Sequence, residues 1–148
     1  MLARALLALL ALPGVVAFGV PLLWLQLDGY AVLAHPLGLA PLLAGCIGLL
    51  WCVRDFYVAG KGTLAPWAPP QRLVVVGLYR YSRNPMYVSV LLIVLGWASC
   101  SGAWVLAAYA AALALAFHCR VVLGEEPWLA RTHGDAWQHY AARVPRWF

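Results

Sequence analysis

The chain is predicted to be an all-α integral membrane protein, with four transmembrane helices followed by a C-terminal interfacial amphipathic helix. Three observations predict it. Hydrophobic residues make up 65% of the 148 positions and charged residues only 10%. Mean hydropathy is +0.82. Four apolar runs also approach the roughly 20 residues a helix needs to cross a bilayer core. A soluble domain of this length can bury a good core, but so few charged side chains cannot cover the apolar surface left outside it. One domain over 1–148 is expected, with no internal repeat or low-complexity segment.

The first span is expected over about 2–25, kinked by Pro13, Gly14, Gly19 and Pro21. Its opening Met1-Leu2-Ala3-Arg4 has the form of a cleaved signal segment, but the apolar run continues through Val20 to Trp24, which favours a retained span. The second span covers about 36–58 and ends in Arg54 and Asp55, charges that belong near the interface. In the cytoplasmic connector 59–84, Gly60, Gly62, Pro66, Pro69 and Pro70 break regular structure, and Leu73 to Val76 is expected to run extended, as part of a short lid. The third span, about 85–99, starts at Pro85, a good first-turn residue, and Cys100-Ser101-Gly102 makes the turn. The fourth, about 104–123, is rich in alanine, so it can pack closely against the third. In the cytoplasmic tail 124–148, Trp128, Leu129, Trp137 and Tyr140 alternate with Arg131, His133, Asp135 and His139 as in an interfacial helix, with an interruption expected at Gly134.

The net charge of +5 is nearly all arginine. It implies a face toward anionic lipid head groups or an anionic ligand, and no nucleic-acid partner is expected. Arg54, Lys61, Arg72, Arg80 and Arg83 surround the connection after span two, and Arg120, Arg131, Arg143 and Arg146 follow span four; the other two connections have none. The positive-inside rule then puts both termini and both charged segments in the cytoplasm. The bias to Ala, Leu, Arg and Gly points to a bacterial source, hence a multi-pass protein of the inner membrane. The eight tryptophans fit interface anchoring. Cys46, Cys52, Cys100 and Cys119 stand singly, without metal-ligand spacing, and read as small hydrophobes; no metal is expected. Gly45-Cys46-Ile47-Gly48 and the alanine-rich span can pack against another copy, and the oligomeric state stays open.

The chemistry concentrates in Gly77 to Tyr87, where arginines and tyrosines gather at a helix start, and in Glu125-Glu126, the only paired acids. An apolar hairpin joins the two segments and returns to the face it left, so the clusters are expected to meet. Arg83 offers a rigid fork for a carboxylate or phosphate, and Glu125 and Glu126 offer acceptors for an ammonium or a pair of hydroxyls. Tyr79, Tyr81 and Tyr87 offer faces for a cation. S-adenosylmethionine carries all of these groups. The plainer alternative is that the arginines anchor the cytoplasmic rim and the glutamates pair with them.

Thr63 to Tyr87 and Glu125 to Arg146, with Leu-Val-x-x-Gly-x-Tyr, Arg-x-Pro-x-Tyr, Glu-Glu, Gly-x-x-x-x-x-Tyr and Val-Pro at these intervals, resemble the isoprenylcysteine carboxyl methyltransferase and phospholipid methyltransferase group of membrane enzymes. The resemblance covers the C-terminal two thirds. It implies that Gln71, Arg72, Leu73 and Val74 line the methyl donor with Tyr79 close by, that Asn84, Pro85, Met86 and Tyr87 continue the pocket, and that Glu125 holds a polar end, with Arg83 and Glu126 adjoining. Tyr87 and Glu125 are the catalytic candidates, and Arg120 the candidate for the acceptor. Asn84 stands where the group often has histidine, so this position can bind but not shuttle protons. The arginine that contacts a prenylcysteine carboxylate is matched here by Val121, with Arg120 beside it.

The implied reaction is in-line transfer of a methyl group from S-adenosylmethionine to a carboxylate, thiol or amine of a lipophilic small molecule or lipid, driven by alignment and exclusion of water. Two other classes compete: a nicotinamide-dependent membrane reductase similar in its C-terminal core to sterol reductases, and a non-catalytic adaptor whose basic rim binds lipid.

Overall fold

The computed structural model describes residues 10–59 and 72–148, and every regular element in them is helical. The first nine residues and 60–71, which include Gln71 and most of the expected lid, lie outside the described residues. A π-helical segment, Leu10–Gly19, runs into α1 (Val20–Leu27). A short 3₁₀ turn, Pro36–Gly38, leads into α2 (Leu39–Val58), and a second, Gly77–Arg80, precedes α3 (Pro85–Ser101). Then come α4 (Trp104–Arg120), a π-helical turn Val121–Glu125, and α5 (Glu126–Arg143).

The described helices differ from the expected spans at several ends. Helix α3 continues to Ser101, so the turn is Gly102-Ala103, with Gly102 at φ +72° as the left-handed residue that ends a helix. Chain direction is not broken after the fourth apolar run: α4, the π-turn and α5 wind on continuously, and the departure comes at Gly134 (φ 48°, ψ −122°), where an interruption was expected. Val76 is extended, as the run before it was expected to be.

Two helical stretches, Pro36–Val58 and Trp104–Arg143, are long and apolar enough to cross a membrane, while Pro13–Leu27 and Pro85–Ser101 are apolar but shorter. Apolar side chains cover the outside of α2 and α4: Leu43, Ile47 and Leu50 are more than half exposed, as are Trp104 and Leu115. Such a surface is at home in hydrocarbon.

Helices α2 and α3 approach most closely because glycines line their contact. A Cβ at Gly45 would lie 2.6 Å from the Ser89 carbonyl, and one at Gly96 would lie 2.5 Å from Leu42 Cβ. Gly45 and Gly48 thus face Ser89 of the same chain. Ala17, Leu49, Val90 and Ile93 form the core beside this seam.

Pro21 has no N–H, so the π-helical segment before it lacks one backbone donor. The Trp97 indole of α3 donates to the Ala17 carbonyl at 3.0 Å, and Tyr109 of α4 donates to the Val16 carbonyl at 3.1 Å. The His35 N–H donates to the Cys100 carbonyl at 2.8 Å and ties the loop after α1 to the end of α3. The polar clusters therefore lie at the opposite end of the hairpin from this loop.

Candidate functional site

Pro85 starts α3, and Tyr87 sits in its first turn with its ring stacked on Phe117 of α4, centroids 4.4 Å apart. The Tyr87 hydroxyl donates to Glu125 Oε1. Arg120 Nε donates to the same carboxylate oxygen at 2.8 Å and to the Tyr87 oxygen at 3.1 Å. Five residues separate Arg120 from Glu125, one more than the spacing that pairs side chains on an α-helix. The π-turn supplies the extra residue and carries both to one side, a use of this geometry that recurs at functional sites.

A second network lies beside the first. Arg83 Nη1 reaches Glu126 Oε1 at 2.9 Å, and Arg146 grips the same carboxylate with two parallel bonds, Nε to Oε1 at 2.9 Å and Nη2 to Oε2 at 2.8 Å. Arg83 also lies over the Trp137 ring, 5.6 Å from its centroid. The Arg146 hydrogen bonds, and the nearby charges of Arg83 and Arg146, hold the Glu126 carboxyl below its ordinary value against the opposing effect of burial.

Main-chain contacts join these networks to the motif before α3. The Arg83 N–H donates to the Pro145 carbonyl at 3.0 Å; Asn84 Nδ2 and Ser82 Oγ donate to the Arg146 carbonyl at 3.0 and 3.3 Å. Ser82 Oγ in turn accepts from the Asn84 N–H at 3.1 Å. Tyr140 of α5 donates to the Tyr79 carbonyl at 2.7 Å. Burial pushes the Tyr140 hydroxyl up to about 12 and also raises that of Tyr79 well above the ordinary tyrosine value, so both stay neutral.

The structure brings together Tyr87, Arg120 and Glu125, and beside them Arg83, Asn84 and Glu126. Val74 and Tyr79 pack with Cys52 in an apolar cluster that Met86 borders, and Pro85 is buried. Leu73 is half-buried, whereas Arg72 is exposed. Of the contacts within this face, those of Phe117, Ser82, Pro145 and Arg146 were not assigned from sequence. Phe117 lies on the regular part of α4, where one aromatic in a generic apolar face does not reveal its stacking partner. The others depend on a segment more than sixty residues from its partners.

Two grooves flank α3. One of about 450 Å³ lies toward α2, bordered by Ile47, Gly48, Trp51, Ser89 and Trp147. The other, about 220 Å³, lies toward α4 between Leu91, Leu95, Ala111 and Ala114. Leu91 is one turn from Tyr87 on the same helix face.

A family model described as phospholipid methyltransferase matches residues 33–136. No curated protein and no solved structure matches the chain.

Proposed function

The chain belongs to the phospholipid methyltransferase family, and from that premise we propose that it is a multi-pass membrane enzyme transferring a methyl group from S-adenosylmethionine to a lipophilic acceptor at the cytoplasmic face. The observation that carries this reading is the meeting of Tyr87, Arg120 and Glu125 next to the Arg83–Glu126 pair. It joins the two sequence segments that resemble isoprenylcysteine carboxyl methyltransferases into one polar site on an apolar molecule.

The side chains suit the donor's chemistry. Arg83 Nε is buried with no hydrogen-bond partner among the described residues, a donor available to a carboxylate or hydroxyl. Asn84, Tyr79, Tyr87 and Glu125 add a carboxamide, aromatic faces and a carboxylate around it. Val74, Met86 and Pro85 supply the apolar wall, and the resemblance adds Arg72 and Leu73 from the connector, with Gln71 before them in the sequence. When bound, S-adenosylmethionine supplies a methyl group on a sulfonium, which needs no covalent enzyme intermediate.

The residues act by orienting the acceptor and excluding water. Arg120 holds an anionic group of the acceptor, and its removal from the Glu125 pair leaves that carboxylate free to take a proton from an amine or thiol. Asn84 cannot do so. A carboxylate acceptor needs no base. The hydrocarbon part of the acceptor approaches between α3 and α4, along the groove that ends one turn from Tyr87.

Isothermal titration of the detergent-purified protein with S-adenosylhomocysteine tests the donor, and binding is expected. Mass spectrometry of lipid extracts incubated with isotopically labelled S-adenosylmethionine identifies the acceptor. Folded protein that binds a nicotinamide cofactor and not the donor product would overturn the proposal.

A further inference from the structure

Pro145 and Arg146 lie beyond the residues that the family model matches, at the end of the segment whose motifs resemble the group, and the reaction scheme above gives them no part. They nevertheless bridge both halves of the site. The Arg146 guanidinium holds Glu126 through two parallel bonds, and its carbonyl accepts from Asn84 and Ser82. The preceding carbonyl, on Pro145, accepts from the Arg83 N–H. From this geometry we infer that Arg146 is a positioning residue of the methyl-donor site, setting the register between the Ser82–Asn84 turn and the acidic pair. The inference rests on the methyltransferase reading.

The segment is anchored well enough to transmit position. Val144 is buried and its N–H donates to the Tyr140 carbonyl at 3.0 Å. On the other side, Trp147 Nε1 donates to His118 Nδ1 at 3.3 Å. Between these anchors the Arg146 carbonyl has little freedom. Asn84 and Arg83 directly precede Pro85, so a shift of that carbonyl moves the first turn of α3 and Tyr87 with it.

The ion pairing differs from an exposed surface bridge. The side chains of Arg83 and Glu126 are 14% and 16% exposed and that of Arg146 is 34% exposed, and a two-pronged guanidinium contact fixes direction as well as distance. Lysine keeps the charge but cannot reproduce the fork. The charged and titratable groups facing Glu126 are Arg83, Arg146 and His118, with Glu125 adjacent in the chain.

The test compares the full-length protein in detergent with Arg146→Gln, Arg146→Lys and, as a charge control on exposed α5 surface, Arg143→Gln. S-adenosylhomocysteine binding is titrated from pH 7 downward, with thermal melting as the check on folding. Arg146→Gln is expected to weaken binding about tenfold or more. It should also move the acid limit of binding to higher pH, because Glu126 without the Arg146 N–H groups keeps its proton to higher pH. Arg146→Lys should bind more weakly than the wild type while its acid limit moves less, and Arg143→Gln should match the wild type.

A folded Arg146→Gln protein with affinity within about twofold of wild type and an unmoved acid limit overturns the inference. If that variant does not fold, Arg146→Lys decides: wild-type affinity overturns the inference and weakened affinity supports it. Wild-type protein that fails to bind S-adenosylhomocysteine removes the methyltransferase reading itself. Wild-type binding that is indifferent to Arg146 removes only the positioning role.

Discussion

At the scale of single residues, Tyr87 separates packing from chemistry. Its ring stacks on Phe117, while its hydroxyl bonds Glu125 and Arg120, which also pair directly. Tyr87→Phe keeps the stack and the direct pair and removes the two hydroxyl bonds. Methyl transfer should fall about tenfold or more, the scale of a hydrogen bond to a charged group, with little change in melting temperature. Incorporation of labelled methyl, set beside a thermal melt, measures both. Glu126 gives the pH counterpart. Its folded carboxyl is held below the ordinary glutamate value, chiefly by Arg146. The stabilisation is therefore complete above the unfolded value and is lost as pH falls through the lowered folded one. Melting temperature should decline on acidification through that window, and Glu126→Gln should start lower at neutral pH and decline less. Equal acid slopes for the two proteins would refute the linkage.

At the scale of elements, the glycines of the α2–α3 seam decide where the site sits. Adding a side chain at Gly45 forces apart backbones that meet at the Ser89 carbonyl. Gly45→Val should cost about 1–3 kcal/mol, the usual penalty of overpacking. It should also weaken donor-product binding, since Ser89 lies one turn below Pro85; a chemical-denaturation curve and a titration check the two effects. The sequence exposed the seam as a small-residue stripe but could not say what it faced, and α3 of the same chain proved to be the partner. Helix order, the Pro85 start and the Gly134 break were legible because each depends on local backbone chemistry. The pairing of Arg120 with Glu125 was not, because it depends on a π-turn that helical periodicity does not foresee. Arg146 was hidden for another reason: its partners are distant in sequence, and only the packed tertiary structure brings them within hydrogen-bond reach.

At the scale of the whole molecule, the proposed multi-pass topology would set which solvent each end of the hairpin meets. Helix α3 has 17 residues, a length of about 25 Å at 1.5 Å per residue. A hydrocarbon core of roughly 30 Å exceeds this, so in the proposed multi-pass arrangement the membrane around α3 would thin locally or the flanking polar groups would sit deeper. The arginine-rich end suits the cytoplasmic side, where anionic head groups attract it. With the exposed Cys119 and part-exposed Cys46 replaced by alanine, single cysteines placed at the exposed positions Tyr81, Ser99 and Thr132 report the sides separately. In sealed vesicles a membrane-impermeant thiol reagent should reach Tyr81→Cys and Thr132→Cys from the cytoplasmic side and Ser99→Cys from the opposite one. Because α3 and α4 return the chain to its starting face, Tyr81 and Thr132 must label together. Labelling of these two from opposite sides is incompatible with a hairpin crossing, whereas joint labelling from the outer side keeps the hairpin and reverses only the orientation drawn from arginine placement.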